Sequence, residues 1–196
     1  MKRRVVLATT ATVISAGCVD ELTSAASGGK SLDEIVNSHD VSRAIHAEVN
    51  RVRTEHDLPE LELGDELSDI AKDHSENMVE QDFFAHKAPN GSDFEDRYQA
   101  AGYNCRVSSG PNQYHSGAEN IGYTWADQDV GKENGESVNH ENDEDSIGKG
   151  IVRQWVNSPP HRENILRDFW NVEGIGVAVD QDAEKGKKVV ATQNFC

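Results

Sequence analysis

The chain has 196 residues, of which 35 are acidic and 19 basic, for a net charge of −16. Once a leader is subtracted, that length suits one compact domain of about 150 residues rather than two. Such an acidic surface repels phosphate backbones and anionic membranes, which argues against nucleic acid as a partner, and a high-salt habitat that screens self-repulsion would account for the balance.

Lys2, Arg3 and Arg4 precede a mostly apolar stretch over residues 5–17 that is too short to span a bilayer stably, so residues 1–18 read as an export signal. It ends in Ser15-Ala16-Gly17-Cys18, where small residues before a cysteine predict lipidation of the Cys18 thiol; cleavage nearby without lipid is the alternative. Arg3-Arg4 suits a twin-arginine exporter as well as general secretion. The protein is expected at the outer face of the cell membrane as a lipoprotein, or secreted. With Cys18 consumed, Cys105 and Cys196 allow one internal disulfide outside the cytoplasm, two unpaired thiols being the other reading. Residues 19–39, rich in Ser, Ala and Gly between Ser24 and Ser31, form a flexible tether to a domain over residues 40–196.

Val41, Ile45, Val49 and Val52 recur at helical spacing, with Asp40 as the N-cap and Asp57-Leu58-Pro59 as the stop. A second helix is predicted over 65–81, with Leu67, Ile70, Ala71, His74 and Met78 on one stripe, which makes His74 a core histidine rather than a ligand. Pro89-Asn90-Gly91-Ser92 is a turn, and Phe94, Arg97, Tyr98 and Ala101 give a short helix closed by Gly102. Residues 126–146, dense in carboxylates, read as a solvated acidic loop without calcium-loop spacing. Ile147, Ile151, Val152 and Trp155 form the next helical stripe, and Ser158 caps a further helix that opens with Pro159 and Pro160. Residues 174–179 and 187–195 are β-rich and read as a hairpin. Helices followed by interleaved strands indicate an α+β layer fold.

Three separated motifs carry the chemistry: Phe83-Phe84-Ala85-His86, Gly117-Ala118-Glu119-Asn120-Ile121, and Ser158-Pro159-Pro160-His161-Arg162-Glu163-Asn164-Ile165-Leu166. His86 and Glu119 are 33 residues apart and Glu119 and His161 are 42 apart, too far for a local zinc finger, so a fold must assemble them. Two imidazoles and a carboxylate suit zinc or another divalent metal, and equally an acid/base set; the residues alone leave both open. Alternatively, Glu119 and Asn120 satisfy backbone donors around a buried loop while His161 and Arg162 hold a helix entry, making the motifs structural.

Asn50-x-x-Arg53, Ala71-x-x-His74-Ser75-x-x-Met78, the Phe-Phe-x-His turn, Ala-Glu-Asn-Ile, Trp155-x-x-Ser158-x-x-His161-Arg162-x-Asn164-Ile165-Leu166, Gly174-Ile175-Gly176-Val177 and Thr192-Gln193-Asn194-Phe195 occur in this order. The series over residues 41–196 resembles the short prokaryotic branch of the CAP superfamily (cysteine-rich secretory proteins, antigen 5 and pathogenesis-related proteins; SCP-like domains). The resemblance implies an α-β-α sandwich with a central antiparallel sheet and a cleft holding a two-His, two-Glu tetrad. His86, Glu119 and His161 match three of its members, as metal or catalytic residues. Ser158 stands where the second glutamate would be, and a hydroxyl cannot supply a carboxylate's charge, so an enzyme is the less expected outcome. His115, in a His-Ser pair shortly before Glu119, competes with His86, which is preferred because it follows the second helix at the distance this branch shows.

The leading expectation is a monomeric binding module for a lipid or cell-envelope ligand, with Ser158, Asn120, His115 and Arg162 as further ligand-binding residues and optional metal at His86, Glu119 and His161. An extracellular metal- or Glu-dependent hydrolase of peptidase or esterase type, and a structural envelope interaction module, are the alternatives.

Overall fold

The structure is a computed structural model that describes residues 36–126, 130–131, 137–138, 143–184 and 186–196. The export signal, Cys18, most of the tether and much of the acidic loop lie outside the described residues.

Val41, Ile45, Val49 and Val52 form one buried stripe of α1 (Ser38–Glu55). The helix starts earlier than its pattern suggests. Asn37, not Asp40, is the N-cap and accepts from the backbone amides of His39 and Asp40, while Asp40 sits in the first turn, where its charge suits the helix dipole. There follow β1 (Glu62–Leu63), α2 (Asp65–Glu80), α3 (Phe94–Ala101), β2 (Val107–Gly110), β3 (Gln113–His115), β4 (Ala118–Trp125), β5 (Val130–Gly131) and β6 (Ser137–Val138). The chain ends with α4 (Glu144–Asn157), α5 (Pro159–Leu166), β7 (Val172–Asp180) and β8 (Lys188–Phe195).

The main sheet runs β1-β7-β8-β4. Its β7–β8 and β8–β4 pairs are antiparallel, as expected, but the two-residue β1 adds a parallel edge to β7. Side chains alternate across a strand, so the two faces can be read off the register. Glu119 and Ile121 on β4, Thr192 and Asn194 on β8, and Gly174 and Gly176 on β7 share one face. A Cβ built on Gly174 would lie 2.2 Å from the Leu67 backbone and one on Gly176 would lie 1.9 Å from Lys72 N, so α2 rests directly on β7. The opposite face carries Asn120 and Gly122, covered by α5 and α4: Trp155 Nε1 donates to Ile121 O at 2.9 Å above Gly122. With α1 against α4, the layers are α2 and α3, sheet, then α1, α4 and α5: an α-β-α sandwich.

Ile45, Ile147, Ile151, Val152, Trp155, Val189 and Phe195 belong to the main core, and Met78, Ile121 and Val190 form a smaller cluster under α2. The Cys105 and Cys196 thiols are joined as a disulfide, with Cα atoms 5.6 Å apart and a sequence separation of 91. In the chain-entropy picture, closing such a loop contributes about 4 to 5 kcal/mol by restricting the unfolded state.

Other local readings change. Ala118-Glu119-Asn120-Ile121 is not a buried loop but the start of β4. The β2–β3 hairpin, with Asn112 near its tip at φ 64, had no predicted counterpart. Asp143, Glu144 and Asp145 leave the acidic loop to become the N-cap and first turn of α4; Asp143 Oδ1 accepts from Ser146 N at 2.8 Å. Ser158 is at the N-cap of α5, yet its hydroxyl makes no capping bond. Pro160 at the second helical position has no N–H to offer, which leaves only the His161 amide for such a bond.

Candidate functional site

Gly117 leads into β4 with φ 125, and a Cβ there would meet Tyr98 at 2.7 Å and Phe195 O at 2.9 Å, so only glycine brings the chain into the sheet at this point. Two residues later the strand aims Glu119 at the face covered by α2 and α3. Its side chain is 1% exposed. A carboxylate taken from water needs partners for its charge, and three elements supply them. The turn after α2 brings His86, whose Nδ1 lies 2.8 Å from Glu119 Oε1. On α3, Arg97 places its guanidinium on Glu119 Oε2. The third element is α2 itself, which holds His74 Nε2 4.0 Å from Oε1 and 3.1 Å from Ala85 O.

Because a carboxylate only accepts hydrogen bonds, His86 donates through Nδ1–H and Glu119 leaves its Nε2 unengaged. The His86 side chain is 51% exposed, and the His161 ring lies 6.4 Å from it, centroid to centroid. Burial, with the neighbouring His86 adding to it, lowers the His161 pKa, which favours the neutral imidazole. His74 is lowered too, by burial first and by Arg97, against the pull of Glu119. The cleft beside His86 has a volume of about 570 Å³ and is lined by Lys87, Phe94, Glu119, Asn164 and Arg167 among others.

His86, Glu119 and His161 thus come together at one edge of the sheet; Asn120, Arg162 and His115 do not join them. Asn120, adjacent to Glu119 on a strand, points to the opposite face and is fully buried: its Nδ2 donates to His161 O at 3.1 Å and to Gln193 Oε1 at 2.9 Å, and its Oδ1 accepts from Asn164. Its role is to hold α5 and therefore His161. From Gln193 the same network continues to the buried Glu173 and on to His46 Nδ1, 2.6 Å from that carboxylate. Arg162 donates to Val156 O at the end of α4. His115 stacks on Phe169 with centroids 4.4 Å apart and bonds Ser109 Oγ, so it belongs to the β2–β3 hairpin rather than to the cleft.

Two residues gain importance that sequence reasoning did not give them. Arg97 was legible only as part of a helical stripe; a lone arginine opposite a motif carries no spacing signal. His74 is a core histidine as its stripe implies, but the polar group it faces is Glu119.

In this arrangement Glu119 is not free to ligate a divalent ion, whereas His86 Nε2 is open beside His161. Both Glu119 oxygens are engaged, one by a permanent cation, and the His86 nitrogen nearest to the carboxylate carries a proton. Among the described residues, no three His, Cys, Asp or Glu side chains converge as a metal-holding group.

The comparisons with known proteins agree with this fold. The curated relative matched, the uncharacterized membrane protein YlbC of Bacillus subtilis, is 26% identical over 128 residues, 65% of this chain but 29% of that protein. Among solved structures, an extracellular protein containing an SCP domain from Bacillus anthracis is 25% identical with a TM-score of 0.56, over 81% of this chain and 40% of that one. An outer surface protein from Borrelia burgdorferi is 17% identical with a TM-score of 0.53, over 81% of this chain and 95% of that one, and shows the fold. The pattern of CAP, the cysteine-rich secretory protein family, matches residues 46–195. On that match and this architecture, the chain belongs to the CAP family.

Proposed function

We propose that the domain is an exported binding module whose cleft takes the polar end of a lipid or other amphiphilic cell-envelope molecule, and that Cys18 carries a lipid anchor. The observation that carries this reading is the pairing of a buried Glu119 with a half-exposed His86: the carboxylate fixes the ring so that Nε2 stands free beside His161 at a cleft of about 570 Å³, within the usual size range of small-molecule sites. Two further features support it. Asn194 lies opposite Glu119 in the sheet register and is fully buried, with neither its amide oxygen nor its nitrogen bonded among the described residues. Phe84 and Tyr123 form an exposed edge-to-face pair with centroids 4.9 Å apart, and Tyr123 shares the Glu119 face of β4, roughly 13 Å further along at the rise of a strand. Polar groups at one end and an apolar shelf at the other match an amphiphile.

A fluorescent fatty acid, cis-parinaric acid, tests the reading directly. His86→Ala combined with His161→Ala should weaken binding by about tenfold or more, and Phe84→Ser should weaken it as well. Unchanged binding in both variants contradicts a ligand in this cleft. Lipidation is read by intact mass, since Cys18→Ser should lose the lipid.

The His86–Glu119 pair also supports a second reading, a hydrolase in which His86 Nε2 takes a proton from water while Glu119 holds the ring. His161, favoured as neutral, would then offer a hydrogen bond but no positive charge to offset negative charge. Ester or peptide hydrolysis that survives His86→Ala would remove this reading.

A further inference from the structure

The face of the sheet opposite Glu119 holds a second buried carboxylate. Glu173 of β7 has a fully buried side chain and takes hydrogen bonds on both oxygens: Oε1 lies 2.6 Å from His46 Nδ1 on α1, and Oε2 accepts from Gln193 Nε2 at 2.6 Å. Burial pulls the Arg53 pKa down and Glu173 pulls it back up, so guanidinium and carboxylate share the interior as opposite charges. A carboxylate only accepts, and that decides the orientation of each group beyond it. Gln193 turns its nitrogen to Glu173 and therefore its Oε1 to Asn120, which answers with its own Nδ2 at 2.9 Å. The same Nδ2 donates to His161 O at 3.1 Å, and Asn120 Oδ1, left facing α5, accepts from Asn164 Nδ2 at 2.9 Å. On the other side His46 presents Nδ1–H to Glu173 and leaves Nε2 bare, 3.4 Å from Asn50 Nδ2. The bonds thus span three strands, roughly 10 Å from β7 to β4, and end at Asn164 on the wall of the cleft.

We infer that Glu173 is a positioning residue for the cleft: as the acceptor on which the bonds from both sides end, it fixes the orientation of Gln193 and Asn120, and through them the seat of α5 and His161. This rests on the reading that His161 faces a ligand. Its consequence is directional. The arm toward α5 cannot be reversed, because a flipped Asn120 would set its carbonyl against His161 O, acceptor against acceptor. The arm toward α1 can. His46 need only move its proton from Nδ1 to Nε2, and its side chain is 24% exposed, so water can take the new donor.

Long-range proton–nitrogen NMR of the histidine rings, with cis-parinaric acid binding read separately, tests this on the wild type, Glu173→Gln and Glu173→Leu. Val41→Ala, in the core stripe of α1, is the control for lost stability alone. In the wild type His46 should be in the Nδ1–H form. Glu173→Gln keeps an oxygen for Gln193 and turns an amide nitrogen to His46, so His46 should change to the Nε2–H form while the His161 resonances and the affinity hold. Glu173→Leu removes the acceptor: the His161 resonances should shift and binding should weaken about fivefold or more. Val41→Ala should lower the melting temperature and move neither. The inference is overturned by a wild-type His46 in the Nε2–H form, by His46 still in the Nδ1–H form in Glu173→Gln, or by His161 unmoved in a folded Glu173→Leu protein. His161 moved as far in Val41→Ala overturns it too. Should Glu173→Leu not fold, Glu173→Gln decides alone, on the form of His46. If the wild type binds no cis-parinaric acid, the reading of the cleft fails, and the ring shifts still decide the role of Glu173.

Discussion

At the scale of single residues, the cleft rests on one carboxylate and its neighbours. Burial disfavours protonation of two histidines near it: both His74 and His161 are lowered below the ordinary value of 6.5. Between that value and their folded pKa values the unfolded chain therefore binds more protons than the native state. The sign follows: stability from these groups is full above about pH 6.5 and is lost progressively as the pH falls through the folded values. Thermal melts over about pH 7.5 to 5 should show a falling midpoint, and His74→Gln, which keeps a donor for Ala85 O, should flatten the fall. An equally steep fall in that variant contradicts the assignment.

At the scale of elements, α5 is the piece whose placement decides the site, because it carries His161. It is held from both ends. Asn120 and Asn164 join it to β4, and Arg53 of α1 reaches its last turn, donating to Ile165 O at 2.6 Å, Arg167 O at 2.9 Å and, through Nε, Pro59 O at 2.8 Å. In the same motif Asn50 clamps Leu61 through both its amide groups. These bonds give Asn50-x-x-Arg53 a physical meaning: it is a brace, not part of the cleft. Arg53→Met would leave three carbonyls without their donor, at a cost of about 3 kcal/mol. Denaturant unfolding measures it; a loss below about 1 kcal/mol would show that the brace is not needed.

How much was legible follows the same division. Helical stripes such as Leu67, Ile70, Ala71, His74 and Met78 placed α2 to within a residue, because one face of that helix is buried and the other wet. The β7–β8 hairpin was legible from its run of small and β-branched residues. Strand β4 was not, because Glu119, Asn120 and Thr124 are polar and buried, and a strand whose faces both hold polar groups has no period-two pattern to read. That miss concealed the separation of Glu119 from Asn120, and hence which of the two faces the cleft. Ordered motifs picked out His86, Glu119 and His161, which the fold brings together; the Arg97 guanidinium on Glu119 was invisible without coordinates.

At the scale of the whole molecule, an acidic chain of net charge −16 folds as a three-layer sandwich whose covalent tie runs from the segment after α3 to the last residue of the chain. That tie and the Arg97 pair fix the α3 side of the cleft, while α5 fixes the other. Among the described residues no helix is long and apolar enough to cross a membrane. The central claim is that this frame holds His86 with its proton on Nδ1 and its Nε2 open to a ligand. Long-range proton–nitrogen NMR of the histidine rings, during titration with decanoate, tests it most directly. The account predicts His86 in the Nδ1–H form in the free protein, with its Nε2 and the His161 ring resonances moving together to saturation while His115 stays put. A His86 ring in the Nε2–H form, or shifts confined to histidines outside the cleft, would contradict it.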